Sequence, residues 1–189
     1  MAQTSTTISG QKTFKSAITI NATCTFTSAT KKITASGTSL SDLSVRDLIT
    51  ITGSASNNST FTISEVDANG TFVIVEEDVT SETVAADTVL TYVGFVTAKV
   101  KGDGYHSQTD GLHTVAYHVN ATCTGALKMQ GSLSTTPTED DFFDIDGTTF
   151  TTDQSTTINS VNFTGNFVWV RAKLTANTAG SVTKILFNN

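Results

Sequence analysis

Acidic side chains gather in one stretch of the chain, where Glu139, Asp140, Asp141, Asp144 and Asp146 lie within eight positions. Carboxylates at this density on a loop, a strand and a second loop could hold Ca²⁺, a hard cation that takes several oxygen ligands. We therefore name Asp141, Asp144 and Asp146 as calcium candidates, although the spacing of an EF-hand loop is absent. The alternative is a solvated acidic loop that protects a sheet edge from unwanted pairing. Paired carboxylates also perform glycoside hydrolysis, but such pairs are common in any acidic protein.

The other reactive residue types give no catalytic pattern. His113 and His118 are five positions apart on one predicted strand, so they face opposite sides and cannot share a metal ion. Cys24 and Cys123 have no histidine or basic residue beside them, and nothing in the sequence marks either thiol as a nucleophile. Nucleophile-elbow, zinc-protease and phosphate-loop motifs are absent. We predict that the protein is not an enzyme and has no cofactor, calcium being the one candidate.

Aromatic side chains are the second candidate for a site. Trp169, the only tryptophan, and the tyrosines Tyr92, Tyr105 and Tyr117 could stack against sugar rings if they lay exposed together. The alternative, which we favour, is burial between sheets or at a subunit interface. A carbohydrate-binding adhesion module predicts an exposed Trp–Tyr groove, whereas a structural protein predicts that these rings are buried.

Composition and charge restrict the class of protein. Threonine makes up about a fifth of the residues, and threonine favours strands over helices. The net charge is −6, whereas a nucleic-acid partner would require a basic face. No apolar run is long enough to span a bilayer, and the first ten residues do not resemble a signal peptide. We expect no nucleic-acid partner and no membrane association.

Short strands separated by turn residues dominate the pattern, and no stretch has an apolar repeat at helical spacing. Phe61–Val66 and Thr71–Glu76 are predicted as a hairpin, because Asn69-Gly70 tolerates the positive φ angles of a tight turn. Asn162–Leu174 carries the clearest strand signal, with Val170 and Ala172 on a core face and Trp169 and Arg171 on the other. The sequence thus predicts an all-β protein of sandwich or barrel architecture.

Three stretches resemble structural modules of tailed bacteriophages. Gly10–Phe14, read as Gly-x-Lys-Thr-Phe and followed by alternating Ile and Thr, resembles a pattern that occurs in phage fibre-like proteins. Leu43–Val93 resembles a small β-barrel module of phage structural proteins, in which a glycine commonly stands where Arg46 stands here. Val96–Asn189 resembles a virion β-sandwich that closes with the strand containing Trp169 and Arg171, a small-residue turn (Asn177–Ser181) and a last strand, Val182–Phe187.

The resemblance implies a fold and a set of partners. We expect residues 1–28 to form an extended arm with edge strands, residues 29–94 a small β-barrel-like domain, and residues 95–189 an antiparallel β-sandwich. The protein would be a virion component assembled in the host cytoplasm, first as capsid decoration and second as a neck, tail or fibre accessory. Partners would be copies of itself, for which we expect a trimer, and other virion proteins such as the major capsid protein. Subunit packing would use Phe14, Phe167, Trp169 and Arg171.

Overall fold

The protein is all-β in the described part of the chain. A computed structural model describes residues 5–13, 15, 18–37, 39–106, 111–175 and 179–189. The strand pairs whose register is described are antiparallel, and the remaining regular structure among the described residues is three short 3₁₀ turns, at Ser28–Thr30, Asp103–His106 and Glu139–Asp141. No helix among these residues is long and apolar enough to cross a membrane. The all-β prediction is therefore confirmed.

The chain forms two compact units. The central unit comprises residues 15–95, and the C-terminal unit comprises residues 96–189 together with residues 5–13 from the start of the chain. The segment predicted as an arm over residues 1–28 is thus divided between the two units, because its strands pair with different parts of the chain. Phe14 and the start of the predicted turn at Asn177 lie outside the described residues.

The central unit contains six strands: β3 (Thr19–Thr27), β4 (Lys32–Ser36), β5 (Asp47–Thr52), β6 (Thr60–Val66), β7 (Phe72–Val75) and β8 (Glu82–Val96). The pairings follow the order β8, β3, β4, β7, β6 and β5, and β5 also pairs with β8. The Asn69-Gly70 hairpin is confirmed: β6 and β7 are antiparallel, and Gly70 has a φ of +67°. The more specific prediction of a barrel stays a prediction.

Arg46 takes the conformation that a glycine would adopt most easily. It has a φ of +69°, and its backbone amide donates to the Ile63 carbonyl at 2.6 Å. Left-handed backbone is costly for residues with a β-carbon. Arg46 thus holds a backbone conformation that glycine adopts more easily than arginine does.

The C-terminal unit is sandwich-like. Its first sheet contains β1 (Thr6–Ser9), β2 (Lys12–Thr13), β10 (Leu112–Val119), β14 (Ile158–Thr164) and β16 (Ser181–Asn188), in the order β1, β16, β10, β14, with β2 also on β16. Its other strands are β9 (Val100–Lys101), β11 (Thr124–Ser132), β12 (Phe143–Asp144), β13 (Phe150–Asp153) and β15 (Trp169–Thr175). Here β15 pairs with β11 and β9, and β11 also pairs with β12 and β13.

The stretch predicted as one strand, Asn162–Leu174, is two strands in different sheets. β14 ends at Thr164 and β15 begins at Trp169, and the chain crosses between the sheets at residues 165–168. Gly165 has a φ of +155°, and its carbonyl accepts a hydrogen bond from the Phe167 amide at 3.0 Å. Only glycine adopts such a backbone without strain. The alternation of side chains on β15 is as predicted, whereas its extension back to Asn162 is wrong.

Phe167 fills a space between the two sheets that glycines leave open. A β-carbon on Gly131 would lie 2.6 Å from its ring, and one on Gly165 would lie 2.4 Å from it. The ring packs beside the buried His113, with centroids 5.9 Å apart, and beside Phe163 at 6.2 Å. Phe167 is therefore a core residue of its own unit, and its part in packing between subunits stays a prediction.

We expect Gly131→Ala to lower the free energy of unfolding by about 1–3 kcal/mol, the usual cost of overpacking a well-filled core. Gly10→Ala is the matched control, since Gly10 has no atom within 4 Å of the added carbon, and its effect should stay within about 0.5 kcal/mol. Denaturant unfolding of the single variants and of Gly131→Ala/Phe167→Leu measures both. Leucine is smaller than phenylalanine, so adding Phe167→Leu should recover part of the free energy of unfolding that Gly131→Ala loses. A loss that Phe167→Leu leaves unchanged would contradict this packing.

Candidate binding surface

A cluster of aromatic and basic side chains lies on the second sheet of the C-terminal unit. Trp169 begins β15, and its register partner on β9 is Lys101, which places both residues on the same face. The chain then turns through Gly102, whose amide donates to the Val168 carbonyl at 3.0 Å, into the 3₁₀ turn that carries Tyr105. Backbone pairing thus fixes the tryptophan and the tyrosine next to each other.

The two rings are in direct edge-to-face contact at the surface. The centroids of Tyr105 and Trp169 are 5.3 Å apart with an interplanar angle of 64°, and His106 lies 5.3 Å from Tyr105 on the centroid distance. Tyr105 is 44% exposed and Trp169 is half-buried. The indole nitrogen of Trp169 donates to the Thr135 carbonyl at 3.1 Å, so the orientation of the indole is fixed.

Two lysines complete this cluster, which we call the aromatic–lysine surface (Lys99, Lys101, Tyr105, His106, Trp169). The Lys101 ammonium lies 4.0 Å from the centroid of Tyr105, and the Lys99 ammonium lies 5.3 Å from that of Trp169. Both lysines are exposed, and such cation–π contacts contribute roughly 0.5–1 kcal/mol at exposed sites. The surface is locally basic on a chain whose net charge is −6.

The remaining aromatic candidates lie elsewhere. Tyr117 is fully buried between the sheets of the C-terminal unit, and its hydroxyl donates to the Thr148 carbonyl at 2.9 Å. Tyr92 is buried in the central unit, where burial and the nearby charge of Asp47 raise its pKa. Of the four aromatic residues considered for sugar stacking, the structure brings together only Tyr105 and Trp169.

Arg171, two residues beyond Trp169 on the same face, is the centre of a buried polar network. Only 5% of its surface is exposed. Its two terminal nitrogens donate to the two carboxylate oxygens of Glu139, at 2.6 and 2.8 Å, and its Nε donates to Gln130 at 2.9 Å. The guanidinium also lies 3.8 Å from the centroid of Phe142. A bidentate pair of this kind is among the stronger polar contacts in proteins.

The three calcium candidates serve separate roles. Asp141 accepts hydrogen bonds from the backbone and hydroxyl of Thr138, at 2.7 and 2.9 Å, and thereby caps the 3₁₀ turn. Asp144 accepts from Gln130 at 2.9 Å and pairs with Lys128, while Asp146 is exposed. In the part of the chain that is described, no group of three or more acidic, histidine or cysteine side chains is placed to hold a metal ion. The geometry thus adds no support to the calcium hypothesis.

The pKa of Asp144 reflects this pairing. Partial burial acts to raise its pKa, but the hydrogen bonds from Lys128 and Gln130, with the charges of Lys128 and Lys173, outweigh burial and lower it. The pKa of Lys173 is lowered, first by burial and then by the neighbouring positive charges of Lys128 and Arg171, against the opposing charge of Asp144. The acidic stretch is therefore balanced by basic side chains of β11 and β15.

The histidines and cysteines do not form a reactive group. His113 is buried and its Nε2 lies 2.9 Å from the Gly165 carbonyl, whereas the half-buried His118 points to the opposite face of β10. Burial, followed by the charge of Lys184, lowers the pKa of His118. Burial raises the pKa of Cys24 to about 11, and both cysteines are free and buried. A thiol that is neutral at physiological pH is a poor nucleophile.

Comparisons of this chain with protein-family models, with curated proteins and with solved structures found no match.

Sequence reasoning missed Lys99, Lys101 and His106 as members of this surface. The signal was present, because Lys99 and Lys101 alternate in a short run directly before the Gly102–Gly104 turn. The sequence pattern does not reveal that Lys101 pairs with Trp169, which lies 68 residues further along the chain.

We predict that Arg171→Met will lower the free energy of unfolding by about 3–5 kcal/mol, because it leaves the Glu139 carboxylate without its buried partner. The double variant Arg171→Met/Glu139→Met should lose less, since both charges are removed together. Lys128→Met, which breaks the more exposed pair with Asp144, is the control and should cost about 0–1 kcal/mol. Urea unfolding of the four proteins checks this, and equal losses for Arg171→Met and Lys128→Met would contradict it.

Proposed function

We propose that this chain is a non-enzymatic structural protein of a tailed-phage virion that acts by binding neighbouring subunits. The role that we propose first is capsid decoration, and the role that we propose second is that of a neck, tail or fibre accessory. The observation that carries the binding role is the aromatic–lysine surface, in which Tyr105 and Trp169 are fixed by the backbone and yet reach the surface. Aromatic residues held in this way are typical of the energetic centres of protein interfaces.

The wider architecture supports a passive scaffold. Strands are paired throughout both units, and the two sheets of the C-terminal unit are joined by a core of aromatic rings around Phe167. For the central unit we propose the small barrel expected from the resemblance, because each of its six strands pairs with two others of the set. Apart from the outer strand β14, these strands expose few open backbone groups, which suits a protein that must keep its shape in a particle.

The proposed partners are other copies of the chain, with a trimer as the expected state, and a larger virion protein such as the major capsid protein. Repetition on a closed particle favours symmetric contacts between identical subunits. Nucleic acid and membrane are not among the proposed partners, since the net charge of −6 opposes binding to phosphate groups.

A second candidate function is carbohydrate binding by a host-adhesion module. The observation that favours it is the same Tyr105–Trp169 pair, since a partly exposed tryptophan beside a 44%-exposed tyrosine is the arrangement that sugar stacking requires. The lysines beside the rings argue against carbohydrate binding. The Lys101 ammonium lies over one face of Tyr105, 4.0 Å from the ring centroid, and a sugar stacked on that face would have to displace the lysine.

The first test is the number of copies of this chain in purified particles, measured by quantitative mass spectrometry against the major capsid protein. A count proportional to the capsid protein is expected for decoration, and a count that matches a single ring would place the chain in the neck or tail. Absence from the particle would overturn the virion proposal and leave carbohydrate binding as the remaining candidate.

The second test uses Tyr105→Ala, which should leave the free energy of unfolding within about 1 kcal/mol because the residue lies at the surface and is 44% exposed. If the surface binds a protein subunit, this variant should be incorporated into particles at least about tenfold less well, as expected for an interface hot spot. Leu112→Ala, an exposed residue of the same unit, is the control and should be incorporated normally. Binding of the wild type to immobilised glycans, lost in Tyr105→Ala while incorporation stays normal, would instead establish the adhesion module.

A further inference from the structure

One outer strand of the C-terminal unit lacks every common protection of a sheet edge. Within the described residues β14 (Ile158–Thr164) pairs with β10 alone. The pairing runs through seven consecutive positions without a bulge. The strand contains no charged residue and no proline, and Ile158 at its start is 57% exposed. A straight, uncharged edge of this length offers a row of open amides and carbonyls to another strand.

The other outer strands of this unit are protected. β2, β9 and β12 have two residues each, and each includes a charged side chain, namely Lys12, Lys101 and Asp144. β1 has four residues and a register irregularity between Thr7 and Ser9. β13 also has four residues and ends at Asp153. Short length, charge and bulges are the usual means by which proteins prevent edge pairing. Among the described outer strands of this unit, β14 is the one that lacks all three.

We infer that β14 pairs with β14 of a second copy of this chain, antiparallel, about a two-fold axis that passes through Val161. This inference rests on the proposed function and adds to it a two-fold contact that joins identical subunits in pairs, separate from the contacts that would form the expected trimer. In this register Val161 meets Val161 of the second copy, Ser160 meets Asn162 of the second copy, and Ile158 meets Thr164 of the second copy.

The side chains of the strand are compatible with this self-pairing. Antiparallel partners lie on the same face of a sheet, so the exposed residues Ser160 and Asn162 would meet each other. The Oδ1 of Asn162 accepts from the Thr114 hydroxyl at 2.9 Å, which leaves its amide nitrogen to donate to Ser160 across the axis. No pair brings like charges together, because the strand has none. On the inner face, Phe163 is already held by the rings of His113 and Phe187, at centroid distances of 5.1 and 6.4 Å. The inner face of the strand is therefore already packed against its own unit at Phe163.

A second copy fits this edge better than an unrelated protein does. An antiparallel edge is its own complement, since each strand presents the same alternation of outward amides and carbonyls to the other. The paired length is only seven residues, which is small beside the area that stable dimers bury. Pairing in solution should therefore depend on concentration and become complete where copies are held close together on a particle.

The test is sedimentation equilibrium of the purified full chain over a wide concentration range, with charge variants at the two exposed positions. Ser160→Lys/Asn162→Lys places like charges opposite each other in the proposed register, and the self-association constant should fall by at least about tenfold. Ser160→Lys/Asn162→Glu places opposite charges in the same positions and should restore association to at least the level of the wild type. Thr183→Lys, exposed on the central strand β16, is the control and should change nothing.

Disulfide cross-linking detects the contact between copies even where the dimer is too weak for sedimentation equilibrium. Val161→Cys brings two thiols together on the axis, and oxidation should give a covalent dimer, whereas Thr183→Cys should remain monomeric. A wild type that is monomeric throughout, with no cross-link through Val161→Cys, would overturn the inference. So would an oligomer that all the charge variants retain. Either result leaves the particle count untouched, so that failure of this contact is distinguishable from failure of the virion proposal.

Discussion

The close packing of Phe167 is the constraint on which the C-terminal unit depends. Its ring occupies the space beside Gly131 and Gly165, while its carbonyl accepts the amide of Gly104 at 2.9 Å. A β-carbon at Gly104 would come within 2.4 Å of the neighbouring backbone, so the 3₁₀ turn and the crossing segment can approach only through glycine. This approach positions both aromatic rings of the candidate surface, because Tyr105 lies in the turn and Trp169 follows the crossing segment. Core packing and the exposed aromatic pair are therefore consequences of one local geometry.

Charge in this protein is balanced within the fold to a larger extent than the composition suggests. The acidic stretch around Asp144 would be an obvious cation site if it stood alone, but β11 and β15 supply Lys128 and Arg171 to it. A similar arrangement occurs in the central unit, where Glu82 accepts hydrogen bonds from Ser54 and from the backbone of Ala55. There the carboxylate organises a loop. Acidic side chains in both units thus serve mainly to hold loops and strands in place.

Local patterns predicted local structure well. The Asn69-Gly70 turn and the alternation on β15 depend on neighbours within a few residues, and both were predictable from sequence. The division of residues 1–28 between two units and the crossing at Gly165 were not, because they depend on pairing with strands far away in the chain. The candidate site shows the same limit: Trp169 and Arg171 were identifiable, but their partners Lys101 and Glu139 were fixed only by the sheet register and the adjoining loop. Periodicity assigns a side chain to a face, and long-range pairing decides what else shares that face.

The position of β16 has a consequence for the order of folding. It lies between β1 and β10 in the first sheet, so this sheet has no continuous backbone ladder until the chain has been synthesised as far as Asn188. The central unit is contiguous over residues 15–95 and has all its strands available much earlier. During translation the central unit is thus free to fold while β1 and β10 wait without their common partner. Contacts of such large sequence separation fold slowly, and exposed strands that wait in this way are the ones that chaperones bind.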